Sequence, residues 1–222
     1  MPERQLEVLK FVAHSKTVLR IAVRHGWLPG ARYTNLRDVR KFDRLGFLDI
    51  DWENYSYSRH LAAVRQTRPL VTVARDITDR RMFTQVLAEA EELERWATHV
   101  IVVPKCRRLT AQDIRRIPRR FVIGYSVPTS YGATPLDPKF FRRPVHLLGG
   151  RPDVQRRLAA EMPVVSFDCN RFTLDAAFGD YFDGSLFRPH PHGGYRRCLS
   201  ASIRNINDIW TGYVPPVSRY VI

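Results

Sequence analysis

Short apolar runs alternate along the chain with longer stretches in which apolar residues recur every three or four positions. Runs rich in Val, Ile and Leu are typical of strands buried on both faces of a sheet. The sequence predicts seven such strands, at residues 18–23, 46–50, 70–74, 99–103, 121–124, 145–148 and 164–167. Helical spacing predicts helices at residues 2–14, 53–66, 79–96, 110–117, 153–161 and 200–210.

Strands that alternate with helices predict a parallel sheet, because each parallel crossover needs a long connection. The expected fold class is therefore α/β. We expect a small TIM-type (β/α) barrel, whose pattern of strands and helices can be irregular, although an open doubly wound sheet fits the same pattern. From about residue 180 the pattern changes to Gly, Pro, His and Arg. We expect a single domain over residues 1–222 whose last part, from about 180, is a basic C-terminal extension.

The charge of the chain narrows the choice of partner. Its formal net charge is +14, and only five of the 36 basic residues are lysines. Arginine suits phosphate because its planar guanidinium binds two oxygens at once. Several arginines are adjacent in the sequence, at residues 107–108, 115–116, 119–120, 142–143, 156–157 and 196–197. A nucleic acid is the expected partner, and charge alone does not distinguish DNA from RNA.

Cysteine content and hydropathy indicate a compartment. The three scattered cysteines, Cys106, Cys169 and Cys198, favour reduced thiols over a disulfide framework. No apolar run approaches the roughly 20 residues of a membrane span, and the N-terminus has no signal-peptide pattern. We expect a cytoplasmic protein without a membrane partner, and its oligomeric state is not indicated.

Residues suited to chemistry stand where the predicted strands end. In a parallel βα fold these ends converge on one face, so the side chains would surround one pocket. Two carboxylates in one pocket can act as nucleophile and as acid or base, which is the arrangement for reactions at a glycosidic carbon. The alternative is that each Asp caps a helix or joins an ion pair. The residues suited to chemistry are Asp49, Asp51, Asp76, Lys105, Gly124, Tyr125, Gly149, Gly150 and Asp168, together with His146 in the strand that leads to the two glycines.

Two of these strand ends carry a family resemblance. The segment Phe167-Asp168-Cys169 resembles the Phe-Asp-Cys segment of the tRNA-guanine transglycosylases, in which the Asp is the nucleophile. The segment from His146 to Asp153 is similar to that family's strand ending in a glycine turn. The order of the strands ending near Asp76, Lys105 and Gly124 also fits, and the resemblance covers roughly residues 45–180.

The departures from that family are informative. Its Asp-Ser-Gly-Gly-Phe motif, which carries the second catalytic Asp, is absent, and only Asp49 or Asp51 stands at that place in the order. The family's zinc-binding cysteine cluster is also absent. No cofactor is therefore expected, with zinc at Cys198, His190 and His192 as the less favoured alternative. A short, arginine-rich chain without zinc resembles more the DNA-guanine transglycosylases of phages and bacteria, which place 7-deazaguanine bases such as preQ0 or preQ1 in DNA. For a phage protein the expected location is the host cytoplasm.

The resemblance implies a role for each residue. Asp168 attacks C1′ of a guanosine nucleotide, and Asp49 or Asp51 deprotonates the incoming deazaguanine. Asp76 accepts from the amino and imino edge of guanine, and backbone N–H groups near Gly124 or Gly149 and Gly150 hold its carbonyl oxygen. Further substrate contacts are expected from Lys105, Tyr125, His146, Asn170 and Arg171. The loop 126–138 is a candidate lid, and the candidate aromatic residues of the base pocket are Trp52, Tyr125, Tyr131 and Phe172.

Three alternative functions remain compatible with the sequence. The first is a transglycosylase that acts on tRNA instead of DNA. The second is a nucleosidase, in which water takes the place of the incoming base. The third is a barrel that binds nucleic acid without catalysis, in which the carboxylates are structural.

Overall fold

Eight parallel strands form a closed barrel in the computed structural model, which describes residues 7–130 and 132–215. Each strand pairs with the next one along the chain, and the last pairs with the first. The predicted (β/α) barrel is therefore confirmed. The barrel strands are β1 (Leu9–Ala13), β2 (Leu28–Arg32), β3 (Phe47–Asp49), β4 (Val71–Val73), β5 (His99–Val102), β6 (Val122–Ser126), β7 (Val145–Leu148) and β8 (Val164–Asp168).

Helices cover the outside of the barrel, but not after every strand. The connection from β2 to β3 contains only a 3-10 turn at Arg37–Val39. In the described residues between β6 and β7 the only helical segment is a 3-10 turn at Pro138–Phe140. These two connections make the barrel small and irregular. The helices are α1 (Lys16–Arg24), α2 (Tyr57–Thr67), α3 (Phe83–Glu94), α4 (Ala111–Arg116), α5 (Pro152–Leu158), α6 (Arg171–Ala177) and α7 (Tyr195–Trp210).

Alternate residues of each strand point into the barrel and out toward the helices. Inside, the rings of Phe11 and Phe47 lie 5.5 Å apart, and the ring of His146 stacks on Phe47 at 5.2 Å. Outside, Phe167 of β8 stacks on Trp210 of α7 at 4.8 Å. Both faces of the strands are thus buried, which explains why they read as continuous apolar runs.

The start of the chain is where the sequence prediction is wrong. Residues 9–13 form β1 and not part of a helix over 2–14, because Phe11 fills the barrel while Val12 is buried on the other face; residues 1–6 lie outside the described part. Residues 18–23 belong to α1 and not to a strand, since Val18, Leu19 and Ala22 are its buried face. A short apolar run of this kind fits the periodicity of a helix as well as that of a buried strand.

The segment after β8 completes the ring of helices. A hairpin of β9 (Asp180–Phe182) and β10 (Phe187–Pro189) follows α6, and α7 packs against α1, α5 and α6. Asn207 of α7 accepts from the indole N–H of Trp27 at 2.9 Å and donates to the His25 carbonyl at 3.0 Å. The last helix is thereby fixed beside the first. Among the described residues, no helix combines the length and the apolar character that a membrane crossing requires.

Candidate active site

A cavity of about 290 Å³ opens at the carboxyl ends of the barrel strands. Its size is close to the lower end of the range for small-molecule pockets. Its walls are formed by Ser126 at the end of β6, by Val127, Thr129 and Gly132 of the following loop, and by the turn after β7. Its polar lining residues are Arg32, Asp49, Asp76, Lys105, Ser126, Thr129, Asp168 and Asn170.

Asp168 is the last residue of β8 and is held firmly in place. Its Oδ1 accepts the backbone N–H of Gly149 at 3.1 Å and lies 3.3 Å from Nε2 of His146. The side chain is 7% exposed, so it reaches the cavity while the surrounding barrel keeps it largely dry. Both hydrogen bonds fall on Oδ1, which leaves Oδ2 for a ligand.

His146 lies beneath the cavity and not in its lining. The imidazole is fully buried, and Nδ1 is 2.8 Å from Oγ of Ser166. If Nε2 donates to the carboxylate of Asp168, then Nδ1 accepts from the Ser166 hydroxyl, which fixes one neutral tautomer. The ring is also stacked on Phe47. His146 therefore orients Asp168 and does not meet a ligand.

Gln155 of α5 joins the glycine turn to the end of β8. Its Nε2 donates to the carbonyl of Gly149 at 2.7 Å and to that of Asp168 at 2.8 Å. The side chain is fully buried. This amide therefore ties the backbone of the glycine turn to the backbone of Asp168.

The thiol next to Asp168 is not a competing nucleophile. Burial raises the pKa of Cys169 to about 12, and the thiol lies 3.7 Å from the carbonyl of Gly150, to which it donates. Because only a thiolate is a strong nucleophile, this cysteine is structural.

Asp49, the last residue of β3, is the second carboxylate of the cavity. It stands in register with Arg32 of β2, and its Oδ1 accepts the N–H of Ile50 at 2.8 Å. Burial, followed by the nearby charge of Asp168, raises the pKa of Asp49 to about 7, although the Ile50 hydrogen bond and Arg32 act in the opposite direction. A carboxyl with such a pKa can give and take a proton near neutral pH.

Asp76 and Lys105 face each other across the ends of β4 and β5. Oδ2 of Asp76 is 2.8 Å from Nζ of Lys105, and the backbone N–H of Lys105 donates to the carbonyl of Ile77 at 3.0 Å. Burial raises the pKa of Asp76, while the Lys105 ammonium lowers it. The pair offers one acceptor oxygen and a cationic donor side by side at the cavity wall.

Comparisons with known proteins identify the family and the fold. The model of a family described as "Family of unknown function (DUF6610)" matches residues 22–211. The chain belongs to this family. A solved structure, the YdjI aldolase from Escherichia coli K12, superposes with a TM-score of 0.56 at 10% identity, covering 94% of this chain and 92% of that one. No curated protein matches the chain. At that identity the likeness shows the fold alone.

Six of the sequence-predicted site residues line the cavity of this DUF6610 chain together with Asp168. The structure also separates the two candidates for the second carboxylate: Asp49 lies in the cavity, whereas Asp51 lies outside its lining, with Oδ1 3.4 Å from the N–H of Asn54. Trp52, expected as an aromatic wall, lies in the lining and is half exposed. The six are Asp49, Asp76, Lys105, Gly149, Gly150 and Asn170.

Four other predicted residues lie outside the lining. Gly124 points into the barrel one layer below Ser126, where an added Cβ would come within 2.8 Å of Ile101 and Val103 side chains. Tyr125 points outward and packs on Phe141. His146, as described above, supports Asp168 from beneath, and Arg171 forms an ion pair with Asp175 on α6. Their predicted direct contacts with a substrate therefore have no support from this geometry.

Two further aromatic candidates are placed as follows. Phe172 is fully buried and packs edge-on against Trp27, so it belongs to the core outside the barrel. Tyr131 lies outside the described residues. Within the proposed lid, Val127, Thr129 and Gly132 line the cavity.

Sequence reasoning missed Arg32, Ser126 as a cavity residue and the clamp by Gln155. Arg32 was missed because Pro29 and Gly30 interrupt the apolar run of β2, so the strand that carries it was not predicted. The signal for Ser126 was available, since inward positions alternate and Gly124 precedes it by two residues. Gln155 gave no signal, because a glutamine in an amphipathic helix usually faces solvent.

A second cavity of about 530 Å³ adjoins the first across Arg32, Asp49 and Asn170. Asn170 accepts the N–H of Ala13 at 3.1 Å, so its amide is fixed between the two cavities. The second cavity continues past His14 and Asn35. The two together give one polar groove across the barrel mouth.

No group of side chains suited to holding a metal ion occurs in the part of the chain that the structure describes. Cys198 lies on the buried face of α7, while His190 and His192 line a surface groove. The three residues considered for zinc do not form a site.

Proposed function

We propose that this chain is a base-exchanging transglycosylase that replaces guanine in DNA with a 7-deazaguanine base of the preQ0 or preQ1 type. The observation that carries the proposal is the pair of carboxylates, Asp168 and Asp49, in one cavity at the barrel mouth. Asp168 is held by hydrogen bonds on one oxygen, and Asp49 has a pKa raised to about 7. A nucleophile beside an acid or base of this kind is what a double displacement at a glycosidic carbon needs.

In the first half of the proposed reaction, Oδ2 of Asp168 attacks C1′ of the guanosine nucleotide. The C1′–N9 bond breaks, its electron pair leaves with guanine, and protonated Asp49 supplies the proton that the departing base requires. The resulting intermediate is a glycosyl ester of Asp168. The N–H of Gly149 and the imidazole of His146 keep the carboxylate oriented throughout.

In the second half, the incoming deazaguanine gives its ring N–H proton to ionised Asp49. Its nitrogen then attacks C1′, and the ester bond to Asp168 breaks, which restores the free carboxylate. One glycosidic bond replaces another, so the exchange requires neither water nor nucleotide hydrolysis. Asp49 begins and ends the cycle protonated, and a pKa of about 7 lets it serve in both directions near neutral pH.

The pair of Asp76 and Lys105 supports the choice of guanine. The Watson–Crick edge of guanine presents a carbonyl acceptor next to imino and amino donors. Lys105 can donate to that carbonyl, while Oδ1 of Asp76, which the ion pair with Lys105 leaves open, accepts from the donors. Adenine presents the opposite pattern and would leave both groups of this partly buried pair unmatched.

The adjoining cavity and the net charge of +14 support a polymeric substrate. A nucleotide in the first cavity has its neighbouring phosphates at the groove that passes Arg32 and Asn170. The target base must leave the stack to reach Asp168, as in other enzymes that act on a base. Half-exposed Trp52 at the rim offers a surface on which the extruded base can stack.

The test is exchange of radiolabelled guanine into DNA, measured with the purified full chain. Asp168→Asn is expected to lower the exchange rate by at least three orders of magnitude, because a neutral amide does not form the ester. Asp51→Asn, just outside the cavity, is the matched control and should retain the wild-type rate. Full exchange by Asp168→Asn would refute the assignment. Release of guanine without an acceptor base would instead identify a nucleosidase.

A further inference from the structure

We propose that a groove on α7 binds the phosphodiester backbone of the DNA. This α7 groove has a volume of about 490 Å³ and is lined by His190, His192, Arg196, Arg197, Ser200 and Arg204. Its lining contains no carboxylate. The choice of DNA as the polyanion rests on the proposed function, whereas the groove itself is a separate observation.

The spacing of its cations suits a repeating anion. Arg196, Ser200 and Arg204 recur every four residues along one face of α7, while Cys198, Leu199 and Ile206 on the other face are buried against the body. Eight residues of helix span about 12 Å. Because phosphates follow each other at about 3.4 Å of axial rise per strand, the two arginines reach different phosphates of one strand.

The turn before α7 adds hydrogen-bond donors. Nδ1 of His190 accepts the backbone N–H of His192 at 3.1 Å, so the proton of a neutral His190 ring is on Nε2, which is available to donate. One N–H of Arg197 donates to the carbonyl of His192 at 3.3 Å, which fixes that side chain across the turn. These contacts organise the groove without neutralising its charge.

Several other arginines of the chain are used by the fold itself. Arg120 binds Glu91 and Glu94 at 2.6 and 2.8 Å, and Arg157 binds Asp153 at 3.1 Å. Arg143 donates to three backbone carbonyls, and Arg156 donates to the carbonyl of Ile209. In contrast, within residues 7–130 and 132–215 no ion pair involves Arg196, Arg197 or Arg204. Among the described residues, three arginines without an ion pair therefore line one groove that has no carboxylate in its lining.

The groove is also connected to the candidate active site. The hairpin strand β10 leads into the 190–194 turn, and its Phe187 lies under the guanidinium of Arg171 at 5.8 Å and that of Arg151 at 5.7 Å. Arg171 begins α6, directly after the cavity residue Asn170. A DNA strand bound in the α7 groove would therefore be connected through the β9–β10 hairpin to the residues that follow Asp168.

The experiment measures binding of a fluorescein-labelled duplex DNA by anisotropy over a range of salt concentrations. Each phosphate contact contributes about 0.9 to the slope of log K against log salt. The double variant Arg196→Ala/Arg204→Ala should therefore reduce that slope by close to 2. Replacement of both by Lys, which keeps the charge, should leave the slope unchanged. Circular dichroism checks that these exposed substitutions preserve the fold.

The matched control is Arg120→Ala/Arg157→Ala, which removes the same charge from arginines that are already paired with acids. It should leave the salt slope at the wild-type value. The inference is overturned if wild type and the Arg196→Ala/Arg204→Ala variant have equal salt slopes. It is also overturned if the control loses as much slope as that variant, or if wild type does not bind DNA. Because binding is measured without chemistry, a chain that binds through the groove but exchanges no guanine refutes only the proposed reaction.

Discussion

The protonation of Asp49 gives a prediction that needs no substrate. The substitution Asp49→Asn removes the titrating carboxyl but keeps its shape, and the amide oxygen can still accept the N–H of Ile50. Between about pH 4 and about pH 7 the unfolded chain has lost the Asp49 proton while the folded chain retains it. The folded state then binds more protons, so the free energy of unfolding of wild type falls as the pH rises.

The size of the effect follows from the shift. Each pKa unit corresponds to about 1.4 kcal/mol, and the pKa of Asp49 rises from 3.8 to about 7, so the upper limit is about 4 kcal/mol. Entry of water into the open cavity reduces this, and we expect about 2 kcal/mol. Relative to wild type, Asp49→Asn should gain that stability above pH 7 and gain nothing from this source below pH 4.

The assay is urea unfolding of both proteins, followed by tryptophan fluorescence from about pH 4 to about pH 8. Asp51→Asn is the control, because it removes a nearby carboxyl that lies outside the cavity lining. If the difference in unfolding free energy between Asp49→Asn and wild type is constant with pH, Asp49 does not hold a proton near neutral pH, and its role as the acid–base partner of Asp168 is refuted.

Two further predictions concern the support of Asp168. Gly150→Ala should lower the free energy of unfolding by about 3 kcal/mol, because its φ is +86° and the new Cβ would lie 2.3 Å from Val127. Gly149→Ala, with φ +60° and open space around the new Cβ, should cost about 1 kcal/mol. Chemical denaturation checks both values, and the reasoning is contradicted if Val127→Ala does not restore part of the stability that Gly150→Ala loses. Gln155→Leu should lower the free energy of unfolding by about 2 kcal/mol and reduce the rate of guanine exchange, since two buried carbonyls lose their hydrogen-bond donor. Gln112→Leu, at an exposed position, serves as control. An unchanged unfolding midpoint for Gln155→Leu would show that the hydrogen bonds of Gln155 are unimportant.

The sequence predicted the barrel because its strands are buried on both faces and so appear as apolar runs between helices. Six of the seven predicted strands are present. The errors lie where that signal fails: β2 contains Pro29 and Gly30, and the short run at 18–23 belongs to a helix of only nine residues. The hairpin β9–β10 was missed because each of its strands has three residues.

For the site, chain order was sufficient to bring strand-end residues together but not to orient them. Asp49 and Asp51 differ by two positions, and only closure of the barrel shows that the strand ends at Asp49 and that the chain then turns away. The contact of His146 with Asp168 depends on the stagger between β7 and β8, where the register shifts after Val145. That stagger is a property of the closed sheet and is not visible in one strand.

The formation of an ester between Asp168 and a sugar is the most direct test of the proposed function. Wild-type protein is incubated with a guanine-containing oligonucleotide, the mixture is denatured in acid, and the protein is digested and analysed by mass spectrometry. The account predicts an adduct in which the peptide that contains Asp168 is joined to C1′ of a deoxyribose in the oligonucleotide. This adduct disappears when a 7-deazaguanine acceptor is added and is absent from Asp168→Asn. Incorporation of the acceptor into DNA with no such adduct, or with the adduct on another residue, would contradict it.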